Sequence, residues 1–157
     1  MVDLKALRIE KKMTQQEVAD LVGVSLRSYK SYENDEGKRN TIKYNYIVEQ
    51  LSKINYVDEE TGILELEDIV RKCSKVFEGY EVVFCYLFGS YAKGKATPTS
   101  DVDLLISTNV KGIKFYGLVE EIRAALHKKV DVLNMNQLKD SIELTEEIFK
   151  DGIKIYG

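Results

Sequence analysis

Three aspartates lie in short apolar segments whose pattern is that of β-strands. Asp101 and Asp103 open the segment DVDLLI, and Asp131 lies inside the later segment KVDVL. Side chains alternate across a strand, so Asp101 and Asp103 share one face while the apolar residues between and after them enter the core. Two carboxylates on one face repel each other, and a bound cation would offset this repulsion. Mg²⁺ is one such cation, because it binds oxygen ligands, including phosphate oxygens. Because a buried aspartate without a partner is unfavourable, we expect Asp131 beside this pair, as a metal ligand or a base.

The elements that must position these aspartates follow from the hydrophobic pattern. The run EVVFCYLF at 81–88 predicts a strand buried on both faces, and further strands are predicted at 101–106 and 129–133. Helices are predicted at 65–78, 116–128 and 137–150. His127 is expected at the surface or capping the second of these helices. The apolar residues expected to pack the last helix into the core are Leu138, Ile142, Ile148 and Phe149.

A glycine-rich loop, GSYAKGKATPTS, joins the first two strands. Its residues 89–95 fit the phosphate-loop pattern G-x-x-x-x-G-K. The next residue is Ala96, which lacks the Mg²⁺-binding hydroxyl of that motif, and the segment leads into a strand instead of a helix. The pattern therefore disfavours a phosphate-loop ATPase.

The first third of the chain predicts short helices. Thr14 and Glu17 form a capping box at the start of a helix over 14–22, and Gly23 is a natural helix stop. Ser25 is a favourable N-cap for a third helix over 25–33, and a fourth helix follows Thr41. Two short helices joined by a tight glycine turn describe a helix-turn-helix.

Composition and charge limit the class of protein that this chain can be. The 157 residues are 44% hydrophobic and 31% charged, which is ordinary for a globular protein and predicts a cytoplasmic one without a membrane span. Residues 1–57 carry a net charge of +2 and residues 58–157 of −5, which hints at two units with a polar junction near 56–64. The only cysteines, Cys73 and Cys85, show no metal-ligand spacing, so a disulfide framework and a Cys/His zinc site are both excluded.

The segment GSYAKGKATPTSDVDLLI, together with KVDVL, resembles the minimal nucleotidyltransferases of the DNA-polymerase-β superfamily. The resemblance covers about residues 65–157 and implies a small mixed sheet with packed helices. It implies catalysis and the binding of two Mg²⁺ ions by Asp101, Asp103 and Asp131, with ATP as the substrate. It further implies that the nucleotide is bound by Gly89, Ser90, Lys93 and Ser100. Lys93 stands where the family often has arginine, and lysine orients phosphate less rigidly.

Residues 3–55 resemble the phage-repressor (XRE or Cro/C1) type of helix-turn-helix, through TQQEVA, GVS and SLRSYKSYEN. In that family the third helix enters the major groove of DNA. The resemblance implies DNA contacts by Gln15, Leu26, Arg27, Lys30 and Ser31. Tyr29 and Ala19 would hold the helix pair together. The acidic loop at Asp35 and Glu36 is a departure that disfavours close phosphate contact. A helical bundle that binds protein, or the same fold with DNA binding lost, remains the alternative.

Together these segments predict an all-α helix-turn-helix domain over residues 1–57 and an α/β (α+β) nucleotidyltransferase domain with a small mixed sheet over residues 63–157. Minimal nucleotidyltransferases of this size are often antitoxins that place AMP on a tyrosine of a HEPN-type toxin. The resemblance thus implies a toxin partner, operator DNA, and a homodimer or a hetero-oligomer with the toxin. A small-molecule nucleotidyltransferase of the antibiotic-modifying kind and a nucleotide-sensing repressor remain alternatives.

Overall fold

The first of two structural units consists of short capped helices. The computed structural model describes residues 2–157, with the first unit ending at Tyr56 and the second spanning Val57–Gly157. The helices of the first unit are α1 (Leu4–Glu10), α2 (Gln15–Val22), α3 (Leu26–Asn34) and α4 (Ile42–Ser52). The predicted capping box of Thr14 and Glu17 is present. Gly23 ends α2 with a φ of 71°, a left-handed conformation that glycine adopts without steric cost.

The core of the first unit joins all four helices. Ala19 of α2 and Tyr29 of α3 are fully buried, as expected for residues that hold the helix pair together. A charged group also lies inside this unit. The carboxylate of Glu33 accepts hydrogen bonds from the guanidinium of Arg8, at 2.8 and 3.1 Å, and from the Gln15 amide at 3.3 Å.

The second unit is a four-stranded mixed sheet with helices on its faces. Its elements, in chain order, are α5 (Leu66–Phe77), β1 (Val82–Phe88), α6 (Gly89–Ala92), β2 (Val102–Thr108), α7 (Ile113–Leu126), β3 (Val130–Asn134), α8 (Ile142–Asp151) and β4 (Ile153–Tyr156). The strand order is β3-β2-β1-β4. β1 pairs antiparallel with β2 and β4, whereas β2 and β3 are parallel. This arrangement confirms the predicted small mixed sheet.

The two faces of the sheet differ in what they carry. Val102, Leu104 and Ile106 of β2 are fully buried in the main core, which includes residues of α5 and α7. The opposite face carries Asp103 and Leu105, and α8 packs Ile148 against the latter. The predicted alternation along β2 is therefore observed. Across residues 2–157, no helix combines the length and apolar character needed to cross a membrane.

The cysteines and His127 lie as the sequence predicts. Cys73 and Cys85 are both free and buried, and burial raises the pKa of the Cys73 thiol to about 12. Such thiols stay protonated near neutral pH and act as small core residues. His127 ends α7 as its C-cap, in a left-handed conformation with a φ of 53°.

Two expectations about buried elements were wrong. β1 is not buried on both faces along its whole length, because Val83 near its start is 64% exposed. The helix predicted at 137–150 is split into a 3-10 turn over Met135–Asp140 and α8. Ser141 starts α8 anew by accepting a hydrogen bond from the Leu144 amide. Within α8, Ile148 packs inward, whereas Ile142 and Phe149 are 78% and 86% exposed.

Candidate active site

Two of the three aspartates are neighbours across the parallel strand pair. Asp103 of β2 and Asp131 of β3 are partners in register, and adjacent strands lie about 4.8 Å apart. Asp101 is the residue immediately before β2 and is exposed. Asp131 is also exposed, whereas Asp103 is half-buried. The strand register thus places Asp131 beside Asp103, as the sequence predicted, but at the surface of the sheet instead of inside it.

The glycine turn after β1 lies directly against Asp103. The antiparallel pairing of β1 with β2 places Phe88 opposite Asp103, so the chain turns at Gly89 next to that carboxylate. Gly89 has a φ of 70°, and a Cβ at this position would collide with Oδ2 of Asp103. Glycine is therefore required here both by the backbone conformation and by the approach of the carboxylate.

The carboxylates of this site repel one another. Burial, which is the largest cause, and the charges of Asp131, Asp101 and Glu147 together raise the pKa of Asp103 to about 6. All four effects disfavour the ionised form of Asp103. The carboxyl group of Asp103 therefore holds a proton more readily than an ordinary surface aspartate does.

Glu147 is a fourth acidic residue that the sequence reasoning missed. It lies on α8, half-buried, and its Oε1 accepts a hydrogen bond from Nζ of Lys93 at 2.7 Å. This contact raises the pKa of Lys93, with a smaller contribution from Asp151. The periodicity of the segment predicts an amphipathic helix but does not say which face of the sheet that helix covers, so no local signal assigned Glu147 to the site.

The donor chemistry of this cluster suits Mg²⁺, which prefers oxygen ligands. Within residues 2–157, no group of three or more Asp, Glu, His or Cys side chains converges as a finished metal site. Mg²⁺ in nucleotide enzymes commonly uses one or two carboxylates, with phosphate oxygens and waters filling the other positions. The register pair Asp103 and Asp131, with Asp101 nearby, fits that partial protein ligand set.

The remaining predicted nucleotide-binding residues lie around this cluster. Ser90 follows Gly89 in α6, and Lys93 is the C-cap of that short helix. The Ser100 hydroxyl accepts a hydrogen bond from the Thr97 amide at 2.8 Å, so it closes the turn that leads into Asp101.

The residues assigned to DNA contact divide into two groups. Arg27 and Lys30 on α3 are exposed, and Leu26 is half-buried. Gln15 and Ser31 are already engaged inside the unit, because the Gln15 amide donates to Glu33 and the Ser31 hydroxyl accepts from Nζ of Lys38. The two exposed cations are thus the most accessible members of the predicted set.

Comparison with known families matches both units. The model described as polymerase beta nucleotidyltransferase matches residues 71–157, and a helix-turn-helix model matches residues 4–41. The first match spans β1 through β4 and includes every residue of the carboxylate cluster.

Curated relatives in Methanocaldococcus jannaschii are named as candidate protein adenylyltransferases. One is 34% identical over 77 residues, which are 47% of this chain and 90% of the relative. A second is 35% identical over 81 residues, covering 50% of this chain and 83% of that protein. A third is 36% identical over 87 residues, covering 50% and 89%.

Solved structures with a related chain path include a toxin–antitoxin crystallised with AMP-PNP, at a TM-score of 0.48 and 24% identity over 56% of this chain and 73% of that one. Another is a tri-AMPylated HEPN toxin of Shewanella oneidensis in complex with its MNT antitoxin, at a TM-score of 0.45 and 21% identity over 59% and 73%. These distant likenesses add nothing to the assignment, which rests on the family match and the curated relatives. The chain belongs to the polymerase beta nucleotidyltransferase family.

Proposed function

We propose that this chain transfers AMP from ATP to a hydroxyl group of a partner protein in a Mg²⁺-dependent reaction. The observation that carries the proposal is the half-buried Asp103, which is in register with Asp131 and lies against Gly89. Its pKa is raised by burial and by three neighbouring carboxylates. Carboxylates with strongly raised pKa values cluster at functional sites. The names of the curated relatives support a protein as the acceptor.

In this proposal Asp101, Asp103 and Asp131 would hold two Mg²⁺ ions, which would supply positive charge to offset that of the attacking and leaving oxygens. Asp131 also accepts the proton of the attacking hydroxyl. Gly89 and Ser90 approach the nucleotide phosphates through a backbone that carries no bulky side chain at Gly89. The acceptor oxygen forms a bond to the α-phosphorus, the bond to the β-phosphate oxygen breaks, and pyrophosphate leaves.

Lys93 and Ser100 complete the nucleotide side of the proposed site. Lys93 is held by Glu147 through one salt bridge between partly exposed groups. Such bridges are weak, so a phosphate can replace Glu147 as the partner of the ammonium group. Ser100 acts through the turn that it closes before Asp101.

The proposed partner is a HEPN-type toxin, with transfer of AMP to one of its tyrosines. This choice rests on the resemblance of the sequence to minimal nucleotidyltransferase antitoxins. The helix-turn-helix unit would then bind operator DNA through Arg27 and Lys30 of α3 and repress the operon.

The transfer is tested with ATP labelled at the α-phosphate, Mg²⁺ and the purified product of the adjacent gene. Wild type is compared with Asp101→Asn/Asp103→Asn and with the control Glu120→Gln, which changes an exposed carboxylate on α7, a helix packed on the opposite face of the sheet. Label on the neighbour with wild type and control only would support the proposal. Label on a small molecule, or none on any acceptor, would replace it with one of the two alternatives.

The DNA-binding part is tested separately by fluorescence anisotropy on the DNA upstream of the gene, at two salt concentrations. Arg27→Ala and Lys30→Ala should each weaken binding, and loss of a phosphate contact should reduce the salt slope by about one. Lys43→Ala, an exposed cation on α4, is the control and should change little. Equal binding by all variants would contradict the assignment of α3.

A further inference from the structure

Lys128 is a fully buried lysine whose ammonium group is held by backbone carbonyls. It donates hydrogen bonds to the carbonyl oxygens of Gly62 at 2.8 Å, Thr61 at 3.3 Å and Pro98. An ammonium group has three donors, so this arrangement uses all of them. Burying a charge is unfavourable unless it is fully hydrogen-bonded, and burial indeed lowers the pKa of Lys128, with Asp58 opposing that change. A buried cation with three carbonyl partners therefore holds those carbonyls in defined positions.

One of these carbonyls belongs to the turn that leads into the active site. Pro98 lies inside the turn Thr97–Ser100, which is closed by a hydrogen bond from the Ser100 amide to the Thr97 carbonyl at 3.0 Å. The Thr97 amide in turn donates to the Ser100 hydroxyl. Asp101 follows this turn directly. Lys128 thus fixes the chain on the N-terminal side of Asp101.

The residue after Lys128 fixes the other side. The amide of Val102 donates to the carbonyl of Lys129 at 2.9 Å, which is the first hydrogen bond between β2 and the β3 segment. Asp101 is therefore bracketed by contacts from two consecutive residues, and Asp131 lies two residues further along the same segment. A single stretch, residues 128–131, both supplies one carboxylate and positions another.

We propose that Lys128 is a positioning residue that anchors the turn before Asp101 and so fixes this carboxylate relative to Asp131. Without the hydrogen bond from Lys128 to Pro98, the turn would move, and Asp101 would be in position to bind a cation only part of the time. Mutation of a group that orients metal ligands typically lowers metal affinity by about 10- to 100-fold, and we expect a loss of that size on removing Lys128. The metal-binding consequence rests on the proposed function, whereas the anchoring of the turn does not.

The test uses the full chain without nucleotide or acceptor. Lys128→Met keeps the length of the side chain and removes all three donors. Lys129→Met removes the same charge from an exposed neighbour and is the matched control. Lys128→Arg keeps the charge but offers a planar donor fork, so it serves if the methionine variant does not fold.

The first readout is amide hydrogen exchange. Lys128→Met should accelerate exchange at Thr97, Ser100 and Val102 by about tenfold or more and leave the central amides of β1 unchanged. Lys129→Met should leave all of them unchanged. Equal acceleration throughout the second unit would show a purely structural role and overturn the proposal, as would unchanged exchange at the three reporter amides.

The second readout is Mn²⁺ binding, measured by electron paramagnetic resonance. Lys128→Met should raise the Mn²⁺ dissociation constant about tenfold, with Lys128→Arg between it and wild type. An unchanged constant in a folded Lys128→Met variant would overturn the positioning role. A wild-type chain that binds no Mn²⁺ would contradict the proposed function instead, and hydrogen exchange would then decide the anchoring by itself.

Discussion

Each unit contains a carboxylate that is largely removed from water, and the surroundings shift the pKa of the two carboxylates in opposite directions. In the helix-turn-helix unit, Glu33 has a side chain only 1% exposed, and although burial alone would raise its pKa, hydrogen bonds from Arg8 and Gln15 lower it on balance. In the nucleotidyltransferase unit, burial and three like charges all raise the pKa of Asp103. The first carboxylate is part of the stability of its unit. The second is held at the expense of stability, in a place where a bound cation would offset the repulsion.

The strongest test of this contrast is the loss of transfer activity on removing Asp103. Asp103→Asn keeps the shape of the side chain and removes the charge, so we expect nucleotidyl transfer to fall by about 100- to 1000-fold. The measurement is transfer of α-phosphate label under saturating Mg²⁺. Activity within a few-fold of wild type would mean that Asp103 does not serve the reaction and that its repulsion has another cause.

The opposite unit should respond in stability instead. Arg8→Met leaves Glu33 buried without its guanidinium partner, and we expect the free energy of unfolding of the helix-turn-helix unit to fall by about 3–5 kcal/mol. Urea unfolding followed by circular dichroism measures this loss. Arg39→Met, which breaks a more exposed contact with Asp3, should change the free energy of unfolding by less than about 1 kcal/mol. A similar small change for Arg8→Met would remove the contrast between the units.

The same Asp103→Asn variant that loses activity should gain thermal stability without metal. Removing one of several mutually repelling carboxylates should raise the midpoint of thermal unfolding of the second unit at neutral pH by about 2–4 °C. The gain should shrink as pH falls toward 3.8, the ordinary pKa of an aspartate, because the wild-type carboxyl is then protonated as well. Scanning calorimetry at several pH values measures both effects. A decrease in midpoint at neutral pH would show that Asp103 is stabilising.

Cation binding should have a defined pH dependence. The pKa of Asp103 is raised to about 6, so protons compete with a cation below that value and not above it. We expect the Mn²⁺ dissociation constant to be nearly constant above pH 6 and to rise up to about tenfold per pH unit below it. A titration series from pH 5 to about pH 8 measures this. A constant that is flat throughout would contradict the role of Asp103 as a ligand.

Much of the chain could be predicted locally. The capping box at Thr14, the stop at Gly23 and the alternation along β2 depend on interactions within a few residues, and all three are present. The segments that carry Gly89 and the aspartates were likewise assigned to a turn and two strands from their residue types alone. These features reflect backbone sterics and the burial of apolar side chains, which the sequence encodes locally.

Only the tertiary structure decided how distant segments meet. The register of the parallel pair brings Asp131 beside Asp103, and the packing of α8 on the same face adds Glu147 to their environment. In the sequence, Lys128 is one cation in a charged stretch, yet the fold buries it against the carbonyl groups of two loops. The sequence by itself predicted which residues could do chemistry and assigned Asp103 and Asp131 to the strands on which they lie. The repulsion among the carboxylates and the anchoring of the turn by Lys128 depend on contacts between residues far apart in the chain, because hydrogen-bond partners and like charges act through space.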